Sequence, residues 1–216
     1  NDVETYGAGV GQTQDPSFQI DPAVPGVGRL YVDANDGVYL KEVIGGLNVL
    51  EVTSAIGAGR LTVFDSALAG EDINLLTSGQ TQLGTAITQG LVDAPLAVEL
   101  WAGDDINLPS GARVHSGLSV LLRGDAQPND PDDVGTTTDI RGEVAAPTVE
   151  IAGGGDLDYL QINNPGGINP NGTTTMRGYD GGDRLFVRGV AGTTTLKGYE
   201  GSDRFLVSSN ANKDLF

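Results

Sequence analysis

The 216-residue chain carries 29 acidic and 12 basic residues, a net charge of −17, with 33 glycines, one histidine and no cysteine. The missing cysteine excludes a disulfide scaffold, a thiolate metal site and a cysteine nucleophile. The acidic balance argues against nucleic acid and anionic membrane surfaces as partners, and no apolar run approaches the roughly 18 residues of a membrane span.

In chain order, residues 1–28 hold Pro16, Pro22 and Pro25 with few apolar alternations, which reads as an extended arm or linker. The chain begins at Asn1, so it reads as a processed or excised piece of a longer precursor. From residue 29 to 216, Val, Ile and Leu fall in short period-two runs separated by Gly, Asp, Asn and Thr. That pattern belongs to an all-β domain rich in turns. Within it, Ala69-Gly70-Glu71-Asp72-Ile73-Asn74-Leu75 recurs as Ala102-Gly103-Asp104-Asp105-Ile106-Asn107-Leu108, at an offset of 33. The lone His115 alternates with Val114 and reads as an exposed strand residue. Residues 124–139, with Asp130, Asp132 and Asp133, read as an inserted acidic surface loop, a solvated segment rather than a cation site.

The strongest repeat lies near the C-terminus. Residues 172–187 recur as 192–207 at an offset of 20, and 153–162 align with 178–187 at an offset of 25. Repeats of this length built from short strands predict stacked coils, a right-handed parallel β-helix (β-solenoid) with Gly/Asp-rich corners. Right-handedness follows from the crossover preference of parallel strands; a β-sandwich is the alternative fold. On the solenoid reading Leu160, Leu185 and Phe205 stack on one another, and so do Ile162, Val187 and Val207.

Gly178 to Phe186 and Gly198 to Leu206 fit the nonapeptide G-G-x-G-x-D-x-U-x, except that Tyr179 and Tyr199 replace the second glycine. Gly153 to Gln161 keeps both leading glycines, with Asp156 at the inner one. Residues 153–207 therefore resemble the RTX-type and haemagglutinin-type secreted β-solenoid proteins of Gram-negative bacteria. The resemblance implies Ca²⁺ as cofactor, held by Asp158, Asp183 and Asp203 with turn oxygens around Gly178, Asp180, Gly198 and Glu200. Here, however, one nonapeptide alternates with a Thr-rich strand. Arg184 and Arg204 follow the aspartates and offer ion pairs in place of a metal, and turn-forming Asp without metal stays an open reading.

No local motif announces catalysis. The carboxylate pairs Glu71-Asp72 and Asp104-Asp105 recur as corners, whereas a catalytic pair is usually unique. Trp101 could stack on sugar, but the few basic residues argue against an acidic polysaccharide. The Thr173–Thr175 and Thr193–Thr195 runs read as ordinary strand residues rather than an ice-binding array. The expected function is an extracellular, non-enzymatic structural or adhesive module of a bacterial surface. It would self-associate head to tail through its ends and the N-terminal arm, with cell-surface glycans as a further partner. A polysaccharide-binding or polysaccharide-cleaving β-helix protein is the alternative, and a calcium-responsive folding module a third reading.

Overall fold

The computed structural model describes residues 28–43, 45–63, 70–77, 90–126, 133–165, 168–169, 171–189 and 191–208, and the backbone of strands at 3–7, 18–20, 81–82 and 85–86. Among these residues there is no helix; the protein is all-β. Its strands form a 12-stranded and an 8-stranded sheet, and every pairing within these two is parallel. A β-sandwich would instead be antiparallel.

The chain visits the sheets in tiers. β1 (Val3–Gly7) and β2 (Phe18–Ile20) are followed by β3 (Leu30–Ala34) and β4 (Val38–Glu42), then β5 (Leu47–Ser54) and β6 (Gly59–Val63). The next tier contains β7 (Ile73–Leu75), a small hairpin of β8 (Thr81–Gln82) and β9 (Thr85–Ala86), β10 (Leu91–Ala94) and β11 (Ala97–Trp101). Two further three-strand tiers follow: β12 (Ile106–Leu108), β13 (Arg113–Ser116) and β14 (Ser119–Arg123), then β15 (Thr137–Ile140), β16 (Glu143–Ala145) and β17 (Thr148–Ala152). The last tiers carry two strands each, β18 (Tyr159–Ile162) with β19 (Thr173–Tyr179), and β20 (Arg184–Val187) with β21 (Thr193–Tyr199), before the closing strand β22 (Arg204–Val207).

The pairings resolve three sides. A first side runs from the start of β5 through β7, β12, β15, β18 and β20 to β22. A second runs from β1 through β3, the end of β5, β10 and β13 to β16, and stops there. The 8-stranded sheet, from β2 to β21, is the third. β5 serves two sides because Leu47–Val49 pair with β7 while Glu51–Thr53 pair with β10. Up to residue 152 the strands thus follow three series of pairings, and from residue 159 onward two.

Alternation in the sequence becomes burial here. Inward columns run Val32–Val52–Val92–Val114–Val144 on the second side and Leu61–Leu100–Leu122–Ile151–Met176 on the third, each residue in register with the next. All ten are at most 1 % exposed. Each such side chain contributes about 1.5–3 kcal/mol on burial. The expected stacking of Leu160 on Leu185 and Phe205, and of Ile162 on Val187 and Val207, is present in register. The 33-residue repeat also maps tier onto tier, with Ile73 beside Ile106.

Two segments read from sequence as outside the repeats contribute strands. Val3–Gly7 pairs with Leu30–Ala34, and Phe18–Ile20 with Leu40–Glu42. Thr137 to Asp139, at the end of the acidic loop, belong to β15. Asp130, Asp132 and residues 211–216 lie outside the described residues. Two of the corners between the second and third sides are closed by hydroxyls. Ser116 Oγ accepts from the Leu118 and Ser119 amides at 3.1 and 3.0 Å. Ser54 Oγ accepts from Gly57 N at 2.9 Å and donates to Asp36 O at 2.7 Å.

Candidate cation-binding corner

The corner between the third and first sides gathers the conspicuous aspartates of the sequence. A backbone turning there leaves amides without strand partners, and such amides must find acceptors when buried. The Asp side chains supply them across tiers. Asp203 Oδ1 accepts from Asp183 N at 3.1 Å, Asp183 Oδ1 from Asp158 N at 3.0 Å, and Asp158 Oδ1 from Thr136 N at 2.8 Å. Asp158 Oδ2 accepts in addition from Gly154 N at 2.8 Å. Asp104 Oδ2 takes the Gly70 and Glu71 amides at 2.6 and 2.8 Å, Asp105 Oδ1 takes Thr137 N at 2.7 Å, and Asp125 Oδ2 takes Gly155 N at 2.8 Å. A column of carboxylates therefore stitches one tier to the next along this edge.

The glycines of the nonapeptide have a steric cause. A Cβ on Gly153, Gly178 or Gly198 would stand 1.8, 1.9 or 1.9 Å from Oδ2 of the Asp five residues on. The carboxylate lies over the bare glycine, and this explains the G-x-x-x-x-D spacing. Gly201 has φ +117°, and a Cβ there would meet the Gly181 carbonyl of the tier beneath at 1.3 Å. At the motif's second glycine the chain keeps the left-handed backbone but not the residue: Tyr179 and Tyr199 sit at φ +79° and +76°. Such a conformation is costly for a side-chain-bearing residue. The two rings stack with centroids 5.4 Å apart and planes 6° from parallel, which offsets part of that cost.

Burial sets the electrostatics. Asp158 and Asp183 are 0 % exposed. Burial pushes the Asp158 carboxyl up to about 7, with the neighbouring Asp183 and Asp125 charges adding to the rise against the pull of its two amide donors. Burial also pushes Asp183 to about 6, reinforced by Asp203 and Asp180. Asp72 and Asp105 are raised for the same first reason.

The expected calcium set is thus divided. Asp158, Asp183 and Asp203 share the column, with Gly178 and Gly198 beneath two of them. Asp180 and Glu200 are exposed at the outside of the turn, where their amides donate to Gly154 O at 3.3 Å and Tyr179 O at 3.1 Å. Arg184 lies over the Tyr159 ring at 4.9 Å. Ca²⁺ takes 6–8 oxygen ligands. Asp158 already commits both oxygens to amides, and Asp183 and Asp203 commit one each. The buried Asp183 Oδ2 accepts no hydrogen bond. Among the described residues, no cluster of three or more His, Asp or Glu is placed to hold a metal ion.

A second concavity, of about 700 Å³, opens beside the second side, with Asp93, His115, Ser116, Glu143 and Asn169 in its wall. His115 is half-buried there, Nε2 3.4 Å from Glu143 Oε1. Sequence reading placed this histidine on the outer face but had no signal for Glu143 as its neighbour. Comparison with protein-family models, curated proteins and solved structures returns no match.

Proposed function

We propose that the chain is a right-handed parallel β-solenoid and serves as an extracellular structural or adhesive module, a self-assembling subunit of a surface filament, sheath or matrix. The observation that carries this reading is at the last strand. Phe205 and Val207 are 47 % and 44 % exposed, although they continue columns in which Leu185 and Val187 are 0 % and 1 % exposed. Among the described residues β22 and β21 are also the outermost strands of their sheets. A parallel edge that carries apolar side chains favours strand addition where nothing covers it, and a head-to-tail contact need not close on itself. Light scattering across concentrations, followed by electron microscopy, tests this. Mass growing with concentration and linear particles are expected; a strictly monomeric protein overturns the assembly.

Calcium belongs to the proposal as a stabiliser of the acidic corner, where buried like charges make a cation favourable. Melting with Ca²⁺ and with a chelator at pH 8 checks it: a higher Tm with Ca²⁺ is the expected result, and identical curves remove calcium from the reading. The alternative, a polysaccharide-binding or polysaccharide-cleaving β-helix protein, is favoured by the groove around His115 and Glu143. A cleavage screen with Glu143→Gln separates it from a purely structural role.

A further inference from the structure

We propose that the outward face of the eight-stranded sheet binds a linear acidic polysaccharide. This deepens the adhesive part of the reading above and does not depend on end-to-end assembly. The sequence offers 12 basic residues against 29 acidic ones, which taken alone argues against any polyanion. Register changes the picture. Lys41, Trp101, Arg123, Arg177 and Lys197 fall in one outward column, with only Thr62 and Ala152 between them. Arg60 stands in the next column beside Glu99. Five of the chain's cations therefore share one face.

The two carboxylates pointing outward among them are already engaged. Glu99 Oε2 is 2.7 Å from Arg60 Nε, and Glu150 Oε1 is 3.0 Å from Arg177 Nε. Trp101 lies between Arg60 and Arg123, whose guanidinium carbons stand 5.4 and 5.7 Å from its ring. Arg123 has an indole, not a carboxylate, as its partner among the described residues. Strands about 4.8 Å apart spread the column from Trp101 to Lys197 over about 19 Å. A polymer with an acidic group on successive sugar units can meet such a ladder.

The surroundings suit sugar. Beside the column lies a shallow groove of about 400 Å³ whose wall includes Ser119, Thr148, Thr173 and Thr175 with Glu99, Leu121 and Glu150. Short hydroxyls and carboxylates pair with sugar hydroxyls, and Trp101 offers a ring face for stacking. A protein partner would need a broad apolar centre to this patch, whereas the groove offers Leu121 set between two glutamates. Duplex DNA carries one negative charge per roughly 1.7 Å of its axis, a density that cations a strand or more apart do not match.

The single tryptophan makes selectively excited tryptophan fluorescence a reporter of this face. Titrating the full chain with polygalacturonate is expected to give a saturable change in Trp101 fluorescence that weakens as salt is added. Dextran, neutral and of similar length, is expected to give none. Arg123→Gln and Lys197→Gln, each removing a charged hydrogen-bond donor, are expected to weaken binding roughly tenfold apiece without moving Tm. Calorimetry on Trp101→Phe reads the stacking contribution independently of fluorescence. The proposal is overturned if polygalacturonate produces no saturable change, if both glutamine variants bind like the parent, or if dextran or duplex DNA binds equally well. A monomeric protein that binds polygalacturonate overturns only the end-to-end assembly. An assembling protein that ignores it overturns only this proposal.

Discussion

At the scale of single residues, the acidic corner is held by contacts that a single atom can break. A methyl at Gly178 would collide with Asp183 Oδ2, and β19 cannot move aside because it is paired with β17 and β21. Gly178→Ala is expected to destabilise by about 1–3 kcal/mol, read as a lower Tm. Gly155→Ala, where an added Cβ meets nothing within 4 Å, is the near-neutral control. The same corner predicts an unusual pH dependence. Asp158 and Asp183 rise from the ordinary 3.8 to about 7 and about 6 on folding. Between those limits the folded chain holds protons that the unfolded chain has released, so stability falls as pH rises. The penalty is absent below the unfolded value and complete above the folded ones. Urea melts should therefore show higher stability at pH 5 than at pH 8. Asp183→Asn keeps an acceptor for the Asp158 amide and removes one buried charge, so it is expected to raise stability at pH 8 by about 1–2 kcal/mol and to flatten the pH profile. Asp183→Ala orphans that amide and is expected to destabilise at every pH, by about 1–3 kcal/mol.

At the scale of the strand, the first-side column contains one misfit. Thr138 is 0 % exposed between Ile106 and Leu160, and its hydroxyl has no hydrogen-bond partner. Thr138→Val is expected to stabilise by about 1 kcal/mol, measured as a higher midpoint in urea at unchanged slope. What the sequence reveals of these strands depends on how regular each tier is. From Gly172 to Val207 two tiers have the same sides and no insertion, so Thr173 lies beside Thr193 as the 20-residue offset requires. Upstream, the second side is built from β10, β13 and β16, strands of four, four and three residues. Segments so short share little beyond an inward Val, and the chain between tiers varies in length, so the third strand of each tier is hidden. The corner divides in the same way. The Gly-to-Asp spacing is local and legible, but which amide each carboxylate serves depends on the neighbouring tier. The cations beside Trp101 carry no common motif at all; only register brings them together.

At the scale of the whole molecule, what matters is how the stack ends. Leu185 is buried because β18 and β22 flank it, whereas Phe205 has a partner strand on one side only. The same apolar position is therefore interior in one tier and surface in the next, and the difference is the absence of a following tier against β22 among the described residues. If another copy supplies that tier, Phe205 and Val207 become interior on assembly, each contributing up to about 1.5–3 kcal/mol. Phe205→Asp and Val207→Asp should then weaken self-association at least tenfold apiece while leaving Tm of the dilute protein nearly unchanged, because neither side chain is fully buried in the single chain. Leu185→Asp is the contrasting variant. It places a charge inside the column and should unfold the two-sided tiers, which circular dichroism would register even at low concentration. Sedimentation of the β22 variants against the parent distinguishes a sticky end from a sticky surface. If association persists undiminished in both, contact is made elsewhere, and the end of the stack is not the joint.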